Sequence, residues 1–281
     1  MKILETIDET VNYLNTIRNS KIKIGFVPTM GALHEGHLSL VRQAKKETGF
    51  VACSIFVNPI QFTNSSDLEK YPRNIGKDIE LLQSAGCNFL FHPSEMEMYP
   101  VPSTETFDFG GLDKVMEGKF RPGHFNGVAT VVKKLFEIIG PYYAYFGLKD
   151  YQQIVIINKM VNDFHLPVEI IPCSTVREKD GLAMSSRNQL LDKSMRRKAP
   201  MIYEALKIVK IQSGYSTVNE LKDYIDHRFN KIRNVRLEYF EIVDMKTLQP
   251  VKAWVESRNI IACIAVYFGN IRLIDNIILF S

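Results

Sequence analysis

Short apolar runs alternate with segments of helical periodicity through the first 170 residues. The runs predict β-strands at 22–27, 50–57, 88–91, 142–146 and 168–171. Between them, apolar residues at helical spacing predict helices at 36–47, 75–86, 127–140 and 150–163. Strands and helices that alternate in this way are typical of repeated β-α-β units. This part of the chain is therefore predicted to be an α/β fold with a doubly wound parallel sheet.

The pattern changes after residue 175. Two helices are predicted at about 195–212 and 216–231, followed by three strand-like runs, LEYFEIV, NIIACIAVYF and IRLIDNIIL. We therefore expect two domains, an α/β domain over 1–175 and a smaller α+β domain over 176–281. The stretch TVREKDGLAMSSRNQ between them is polar and contains Gly181, which favours an exposed linker or a mobile loop.

Composition permits real hydrophobic cores and sets few other limits. Of the 281 residues, 46% are hydrophobic, which suffices for one large or two moderate domains. The formal net charge is +4, from 35 basic and 31 acidic residues, and the densest basic block is MRRK at 195–198. Such a mild charge does not indicate nucleic acid as a partner, whereas a small anion would be sufficient.

The cysteine pattern and the N-terminus favour a cytoplasmic protein. The four cysteines are scattered without a CxxC pair, so neither a disulfide framework nor a zinc knuckle is predicted. The first ten residues, MKILETIDET, carry acidic residues inside their apolar stretch, unlike a signal peptide. No run of about 18 apolar residues predicts a membrane helix, so we expect no membrane partner.

The stretch PTMGALHEGHLS at 28–39 directly follows the first predicted strand. In open α/β sheets, ligands bind at the carboxyl ends of strands, where the N-terminus of the next helix can hold an anion. Gly31 and Gly36 would let the backbone approach a phosphate closely. His34 and His37 could donate hydrogen bonds to phosphoryl oxygens as charge develops on them. The alternative is that the two histidines only cap or solvate a loop.

Two known motifs nearly match this stretch, and both fail at a necessary position. Gly31 and Gly36 have the spacing of a P-loop, but His37-Leu38 stands where the Lys-Ser/Thr pair is required. The string HEGH is one residue shorter than HExxH, so its imidazoles lack the i, i+4 geometry that binds zinc in metalloproteases. Neither a P-loop NTPase nor a zinc protease is predicted.

The string HEGH at the first strand-to-helix turn matches the HxGH signature of the nucleotidyltransferase superfamily. The longer string PTMGALHEGHLSL resembles the pantothenate synthetase family, also called pantoate-β-alanine ligases. Further strings that resemble this family follow along the chain: SIFVNPIQF, YPRN, RPGHFNGVATVV, FGLKDYQQ, VREKDGLAMSSRN, EIVDMKTLQP and IRLIDNI. Of these, VREKDGLAMSSRN is similar to the KMSKS loop of class I aminoacyl-tRNA synthetases. On these motifs the chain is identified as a member of the family.

The resemblance implies a Rossmann-like N-terminal domain that binds the nucleotide and a smaller C-terminal domain that acts partly as a lid. It also implies a reaction in two steps. Pantoate attacks the α-phosphorus of ATP to give pantoyl adenylate and pyrophosphate, and the amine of β-alanine then displaces AMP to form pantothenate. ATP is thus expected as a substrate, Mg²⁺ as its companion, and a homodimer as the assembly.

The resemblance further implies roles for individual residues. Those expected to act in catalysis are His34, His37, Lys149, Ser185, Ser186 and Arg187. ATP is expected to contact Met30, Gly36, His37, Gly147, Lys149, Asp150, Val176, Met184, Ser185, Ser186 and Arg187. Pantoate is expected to contact Met30, Asn58, Gln61 and Gln153, and the second step to involve Arg121 and His124. Asp78 is the one candidate for a contact with magnesium or phosphate, although taken alone it reads as a surface residue of helix 75–86.

Two other functions stay open at the level of sequence. One is another HxGH adenylyltransferase that stops at a nucleotide-linked product, which the set of Asn58, Gln61 and Gln153 disfavours. The other is a non-catalytic nucleotide-binding protein on a decayed synthetase fold. The polar residues of HEGH and AMSSRN are intact, which disfavours that second alternative.

Overall fold

The computed structural model describes residues 1–64, 67–69 and 71–281 with their side chains, and Ser65, Ser66 and Lys70 by their backbone alone. The first half of the chain contains six strands: β1 (Lys2–Leu4), β2 (Ile24–Thr29), β3 (Phe50–Ile55), β4 (Phe89–Phe91), β5 (Tyr143–Gly147) and β6 (Glu169–Cys173). They form one parallel sheet in the order β1-β4-β3-β2-β5-β6. The predicted α/β class with a parallel sheet is confirmed.

Helices cover both faces of this sheet. Successive residues of a strand point to opposite sides, and both sides are apolar here, so each face must be buried. The helices of this half are α1 (Ile7–Asn19), α2 (Glu35–Glu47), α3 (Ser65–Lys70), α4 (Ile75–Ser84), α5 (Glu95–Met98), α6 (Met116–Phe120), α7 (His124–Ile139) and α8 (Tyr151–Asp163). In β2, Phe26 belongs to the core that α7 covers, and Val27 belongs to the core that α2 covers. The sheet is therefore sandwiched between two hydrophobic layers.

The strand order reverses between β2 and β5. From β2 the chain continues to β3 and β4 on one side, whereas β5 and β6 lie on the other. In open α/β sheets the carboxyl ends of the two strands at such a reversal border a crevice in which ligands bind. The HEGH turn follows β2, and Lys149 and Asp150 follow β5, so both segments border this crevice.

The second half forms its own sheet and core. Three helices, α9 (Lys193–Lys198), α10 (Met201–Gln212) and α11 (Val218–Asn230), precede the strands β7 (Val235–Asp244), β8 (Ile260–Phe268) and β9 (Ile271–Phe280). These strands pair antiparallel in chain order. One face of the sheet packs on α10 and α11. The other face packs on the first half, where Met116 lies in one apolar cluster with Tyr239, Val243 and Ile261.

A buried ionic network also joins the two halves. Arg272 of β9 donates from Nη1 and Nη2 to the two carboxylate oxygens of Glu117 in α6, both at 2.8 Å. The Tyr239 hydroxyl donates to Glu117 at 2.7 Å, and Arg272 also pairs with Glu238 at 2.5 Å. Burial alone would raise the pKa of Glu117, but the bonds from Arg272 and Tyr239 outweigh it and lower that pKa to about 2.

The structure departs from the predicted elements at several places. The pattern did not predict β1 or α1, and the helix predicted at 127–140 begins earlier, at His124, after Gly123 in the left-handed region (φ 80°). The helix predicted at 195–212 is two helices, because Pro200 has no N–H with which to continue the hydrogen bonding of α9. No helix among the described residues has both the length and the apolar character needed to cross a membrane.

The segment after residue 175 is not the exposed linker that was predicted. Leu182 and Ala183 are buried, and Asn188 donates to Glu178 at 2.7 Å and to the carbonyl of Ala183 at 3.1 Å. A bidentate pair from Arg177 to a carboxylate of β9 fastens its start. The segment is a structured loop that packs on the second half of the chain, where Leu182 belongs to the core that α10 and α11 cover.

Candidate active site

A cleft with a cavity volume of about 240 Å³ lies at the carboxyl ends of β2 and β5. Every site residue predicted from the sequence lines it except Asp78: Met30, His34, Gly36, His37, Asn58, Gln61, Arg121, His124, Gly147, Lys149, Asp150, Gln153, Val176, Met184, Ser185, Ser186 and Arg187. Five separate segments of the chain thus converge on one cavity. Its wall on the side of α7 is apolar and includes Val128, Val131 and Leu135.

The two histidines of the HEGH turn cap the helix that they begin. His34 is the N-cap of α2, and its Nδ1 accepts the N–H of Gly36 at 3.1 Å. Nδ1 of His37 accepts the N–H of His34 at 3.3 Å, which completes a reciprocal capping box. Since each Nδ1 accepts a hydrogen bond, the proton of each neutral imidazole must lie on Nε2. Both rings are therefore set to donate from Nε2.

The glycine of HEGH makes room for this arrangement. A Cβ atom on Gly36 would lie 2.8 Å from Cε1 of His34 and 2.9 Å from its Nδ1. The ring centroids of His34 and His37 are 4.1 Å apart, so the two imidazoles stand side by side. The spacing of the motif thus has a structural cause, since N-cap and N3 residues are three apart.

Both histidines are neutral near pH 7. Burial lowers the pKa of His34 to about 4, and the charge of Lys149 contributes in the same direction. Burial lowers the pKa of His37 well below its ordinary value, with further contributions from His34 and Lys149. The pair can therefore donate two hydrogen bonds to an anion without carrying a charge of its own.

Lys149 and Asp150 lie in a short 3₁₀ turn directly after β5. Nζ of Lys149 lies 3.1 Å from Oδ1 of Asp150. The turn is held from the second half of the chain, because the side-chain amide of Asn276 donates to the carbonyls of Leu148 and Lys149 at 2.8 and 2.9 Å. A cation is thus fixed at the end of a strand that adjoins the strand of the histidines.

Buried amides form another wall of the cleft. Asn58 is 1% exposed, donates to the carbonyl of Gly127 at 3.0 Å, and accepts from the Tyr99 hydroxyl at 3.0 Å. Gln61 is also buried and contacts the Met30 sulfur through Nε2 at 3.1 Å. Both side chains are therefore buried in the wall of the cleft. Gln153, in the first turn of α8, lines the same cavity.

Arg121 and His124 form a second ordered pair. Nδ1 of His124 lies 2.8 Å from the carbonyl of Gln61, and its Nε2 lies 3.0 Å from Nη1 of Arg121. A carbonyl can only accept, so the proton is on Nδ1 and Nε2 accepts from the guanidinium. Burial and the neighbouring guanidinium lower the pKa of His124 to about 4. His124 therefore orients Arg121.

The loop after residue 175, which lines the cleft, carries serines and an arginine. Oγ of Ser185 accepts the N–H of Arg187 at 3.3 Å, and Ser186 is buried. Nη2 of Arg187 donates to Oδ2 of Asp67 at 2.8 Å, a half-exposed pair that bridges the loop to α3. A cation predicted to bind phosphate is thus held by a carboxylate of the protein.

A model of the pantoate-β-alanine ligase family matches residues 2–278. The chain belongs to this family. Pantothenate synthetase of Bacteroides thetaiotaomicron is 47% identical over 277 residues, covering 99% of this chain and 98% of that protein. Its counterpart in Thermotoga petrophila is 46% identical over 281 residues, covering 99% and 100%. The prediction of the family from the sequence is confirmed.

Solved structures of pantoate-β-alanine ligases have the same fold. Pantothenate synthetase of Thermus thermophilus superposes with a TM-score of 0.93 at 42% identity, covering all of both chains. The ligase of Francisella tularensis has a TM-score of 0.80 at 39% identity, covering 99% of this chain and 98% of that one. That protein was solved as a complex with β-γ ATP and β-alanine.

Sequence reasoning missed several residues that shape the site of this ligase. Asp67 lies in a short helix with no apolar period, so nothing in its context signalled a contact with Arg187. Asn276 is buried within the apolar run IRLIDNII. A polar residue inside an apolar run was the only signal for it in the sequence. The adjacent Asp275, which holds Arg177 at 2.6 and 3.0 Å, gave the same signal. Tyr71, from the string YPRN, is buried and also lines the cleft.

Asp78 does not line the cleft with the other predicted residues. It is only 3% exposed, so its interpretation as a surface residue is wrong. Its two oxygens accept the N–H groups of Ala32 and Leu33 at 2.9 and 2.8 Å. Among the described side chains, no three His, Cys, Asp or Glu groups lie close enough together to hold a metal ion.

Proposed function

We propose that this cleft carries out both half-reactions of pantothenate synthesis. In the first, a carboxylate oxygen of pantoate attacks the α-phosphorus of ATP, and the bond to pyrophosphate breaks. In the second, the neutral amine of β-alanine attacks the acyl carbon, AMP leaves, and the amine loses a proton. The observation that carries this proposal is the capping box, which presents two neutral Nε2–H donors beside Lys149 at the switch point of the sheet.

The capping box and Lys149 suit the first half-reaction. Charge accumulates on phosphate oxygens as pyrophosphate leaves, and preorganised donors in a dry site stabilise such charge strongly. His34 and His37 supply neutral donors at the start of α2, and Lys149 supplies a cation. Asp150, beside it, can accept hydrogen bonds from the ribose hydroxyls. The reaction needs positioned donors rather than a covalent nucleophile.

The buried amides suit the pantoate hydroxyls. Asn58, Gln61 and Gln153 offer both donors and acceptors without a charge that must be desolvated. The apolar wall from α7 suits the hydrocarbon part of a small acid. We therefore place pantoate between the amides and the wall, with its carboxylate toward the α-phosphate.

Arg121 suits the carboxylate of β-alanine. His124 fixes Nη1, which also lies 3.8 Å from the Glu117 carboxylate. No hydrogen bond to another described side chain engages the rest of the guanidinium, so it can bind an anion in a defined direction. Arg121 also lines a larger cavity of about 700 Å³ between the two halves of the chain, which borders the cleft. We propose that β-alanine enters through this cavity. The complex of the Francisella relative with β-alanine supports a site of this kind in the family.

The loop of Ser185, Ser186 and Arg187 is proposed to wrap the triphosphate, and residues 176–281 to act partly as a lid. The ion pair of Arg187 with Asp67 supports this role. Asp67 now binds the guanidinium that a phosphate would bind, so the loop can exchange this carboxylate for the triphosphate when ATP arrives. Magnesium is proposed to arrive with the triphosphate, since the described side chains offer no three-residue metal cluster. The phosphate oxygens would then supply most of its ligands.

A homodimer is proposed on family grounds. Residues 51–55 of the apolar run VACSIFV are not available for an interface, because they belong to β3, which lies between β2 and β4 with all its residues buried. Sedimentation equilibrium of the purified protein tests the assembly directly. A mass near 64 kDa, twice that of the 32.2 kDa chain, is expected.

Pantoate-dependent exchange of labelled pyrophosphate into ATP tests the proposed reaction. With magnesium present and β-alanine absent, we expect exchange, and addition of β-alanine should then release AMP. Exchange without a second step would favour another HxGH adenylyltransferase. Tight ATP binding without exchange would favour a non-catalytic nucleotide-binding protein.

Gln153→Ala is expected to raise the KM for pantoate by about 2- to 12-fold and to leave the KM for ATP nearly unchanged. A net hydrogen bond is worth about 0.5–1.5 kcal/mol, which corresponds to that range. Steady-state kinetics with each substrate varied in turn measures the effect. Asn158→Ala, on the exposed side of the same helix, is the matched control and should leave both constants unchanged. A larger effect on ATP than on pantoate would contradict the assignment.

Arg187→Ala is expected to lower kcat by more than it weakens ATP binding, because the guanidinium meets phosphate charge that grows in the transition state. Comparison of kcat with the Kd for ATP measures the two effects separately. Asp67→Asn is the partner experiment, since it should free Arg187 and tighten ATP binding. Equal losses of kcat and affinity in Arg187→Ala would indicate ground-state binding alone.

A further inference from the structure

Asp78 is the one predicted site residue that does not line the cleft, although it is buried directly behind the turn that does. It belongs to the first turn of α4, where Asn74 caps the helix by accepting the N–H of Lys77 at 3.2 Å. The N–H of Asp78 also donates to the carbonyl of Asn74 at 3.0 Å. The position of its carboxylate is therefore fixed by the start of a helix.

Both oxygens of this carboxylate are used by the loop that leads to HEGH. Oδ2 accepts the N–H of Ala32 at 2.9 Å, and Oδ1 accepts the N–H of Leu33 at 2.8 Å. The next residue along the chain is His34, the N-cap of α2. Two bonds from one rigid carboxylate thus define the path of the chain immediately before the first histidine.

The backbone of this loop explains why a carboxylate is needed. Gly31 and Ala32 are both in the left-handed region, with φ of 79° and 49°, and Ala32 is not a residue that adopts it readily. Successive N–H groups in such turns form a concave site that attracts an anion. A Cβ atom on Gly31 would lie 3.0 Å from Oδ2 of Asp78, so the glycine leaves space for the carboxylate.

We propose that Asp78 is a positioning residue, which holds the turn in the conformation that presents His34 and His37 to the phosphates. It supplies the protein's own anion to the amides of residues 32 and 33, which leaves the histidines and Lys149 to the substrate. This assignment replaces the magnesium contact that the family resemblance suggested. It rests on the proposed function, since it concerns the first half-reaction.

Asp78→Asn tests the proposal with little change in size. Only one oxygen then remains to accept, and an N–H group faces the second amide, so the loop should loosen. We expect pantoate-dependent pyrophosphate exchange to fall by about 10- to 100-fold, as positioned groups that shift by small distances lose rate. The concentration of magnesium that gives half the maximal rate should stay within about 2-fold of wild type. Glu80→Gln, on the exposed face of the same helix, should leave both quantities unchanged.

Histidine titration by NMR provides a readout that does not depend on activity. In the wild-type protein, His34 and His37 should remain neutral at pH 6, because burial lowers the pKa of His34 to about 4 and that of His37 well below 6.5. Loosening of the turn by Asp78→Asn should move both titrations toward pH 6.5. Gly31→Ala should shift the two titrations in the same direction, because the added Cβ would press on the Asp78 carboxylate. It replaces Asp78→Asn in this experiment if that variant does not fold.

Each result that would overturn the proposal is distinct. A rise of about 10-fold or more in the magnesium requirement, with the histidine titrations unchanged, would make Asp78 a metal ligand. An unchanged exchange rate in a folded Asp78→Asn protein would deny it a positioning role. Failure of the wild-type protein to exchange pyrophosphate would overturn the proposed function instead. The NMR titrations would still test whether Asp78 holds the turn.

Discussion

His37→Ala is expected to slow pantoate-dependent pyrophosphate exchange by about 10²- to 10⁴-fold, the range for loss of a positioned donor or proton-transfer group. The Nε2–H of His37 is preorganised, because its Nδ1 is engaged with the N–H of His34. The second imidazole of the pair cannot take over, since it occupies its own place at the N-cap. Single-turnover measurement of adenylate formation isolates the affected step.

A matched substitution separates the donor from the cap. His37→Asn retains an oxygen that can accept the N–H of His34, yet it has no donor where Nε2 lies. A rate as low as that of the alanine variant is therefore expected, whereas recovery to near the wild-type rate would mean that only the cap matters. His227→Ala, on the exposed surface of α11, should react at the wild-type rate.

The pH profile of the wild-type enzyme gives an independent check. Because the pKa of His34 is lowered to about 4 and that of His37 is lowered well below 6.5, both are neutral donors from pH 6 to pH 8. The exchange rate should therefore show no decline as pH rises through 6.5. Such a decline would indicate that an imidazolium is required, and it would contradict the assignment of neutral donors.

Periodicity predicted the parallel sheet and the position of the site because the relevant signals are local. The strands β2, β3 and β5 are short apolar runs, and the chemistry of HEGH follows directly after one of them. A capping box is also a local pattern, since its two residues are three apart. The sequence therefore contained both the fold class and the turn that lines the cleft.

Contacts between distant segments could not be predicted in this way. Asp67 meets Arg187 across 120 residues, and Asn276 meets Lys149 across 127. Asp78 reads as exposed in an amphipathic helix, because only the folded loop reveals the two amides that it serves. The same limit applies to the junction of the halves, where Glu117 and Arg272 are 155 residues apart.

Arg272→Met is expected to lower the free energy of unfolding by about 3–5 kcal/mol, the usual effect of removing one partner from a buried ion pair. Glu117 would keep its charge in a buried place, where the Tyr239 hydroxyl still donates to it. That loss is a large fraction of the roughly 5–15 kcal/mol that stabilises a typical domain. Urea denaturation at pH 7 measures it.

The same variant should change how stability depends on acid. In the wild-type protein the pKa of Glu117 lies below its unfolded value, so its contribution is complete above about pH 4.5 and is lost as pH falls toward 2. Without Arg272, burial should raise that pKa, and the variant should regain stability relative to wild type as Glu117 becomes protonated. A difference that stays constant from pH 7 to pH 4 would contradict this account.

Two further variants decide whether the unpaired charge is the cause. Glu117→Gln combined with Arg272→Met removes the charge of Glu117 but still leaves Glu238, whose side chain is 9% exposed, without its partner. The double variant should therefore recover part of the stability that Arg272→Met loses. Lys159→Met, which removes a half-exposed pair with Asp163 on α8, should change stability by only about 0.5 kcal/mol. If the double variant were as unstable as Arg272→Met alone, the loss of packing at the junction, rather than the unpaired charge of Glu117, would be the cause of the instability.

If the double variant recovers stability, the role of the network is to fix Glu117 beside Arg121, 3.8 Å away. The double variant should then show a raised KM for β-alanine.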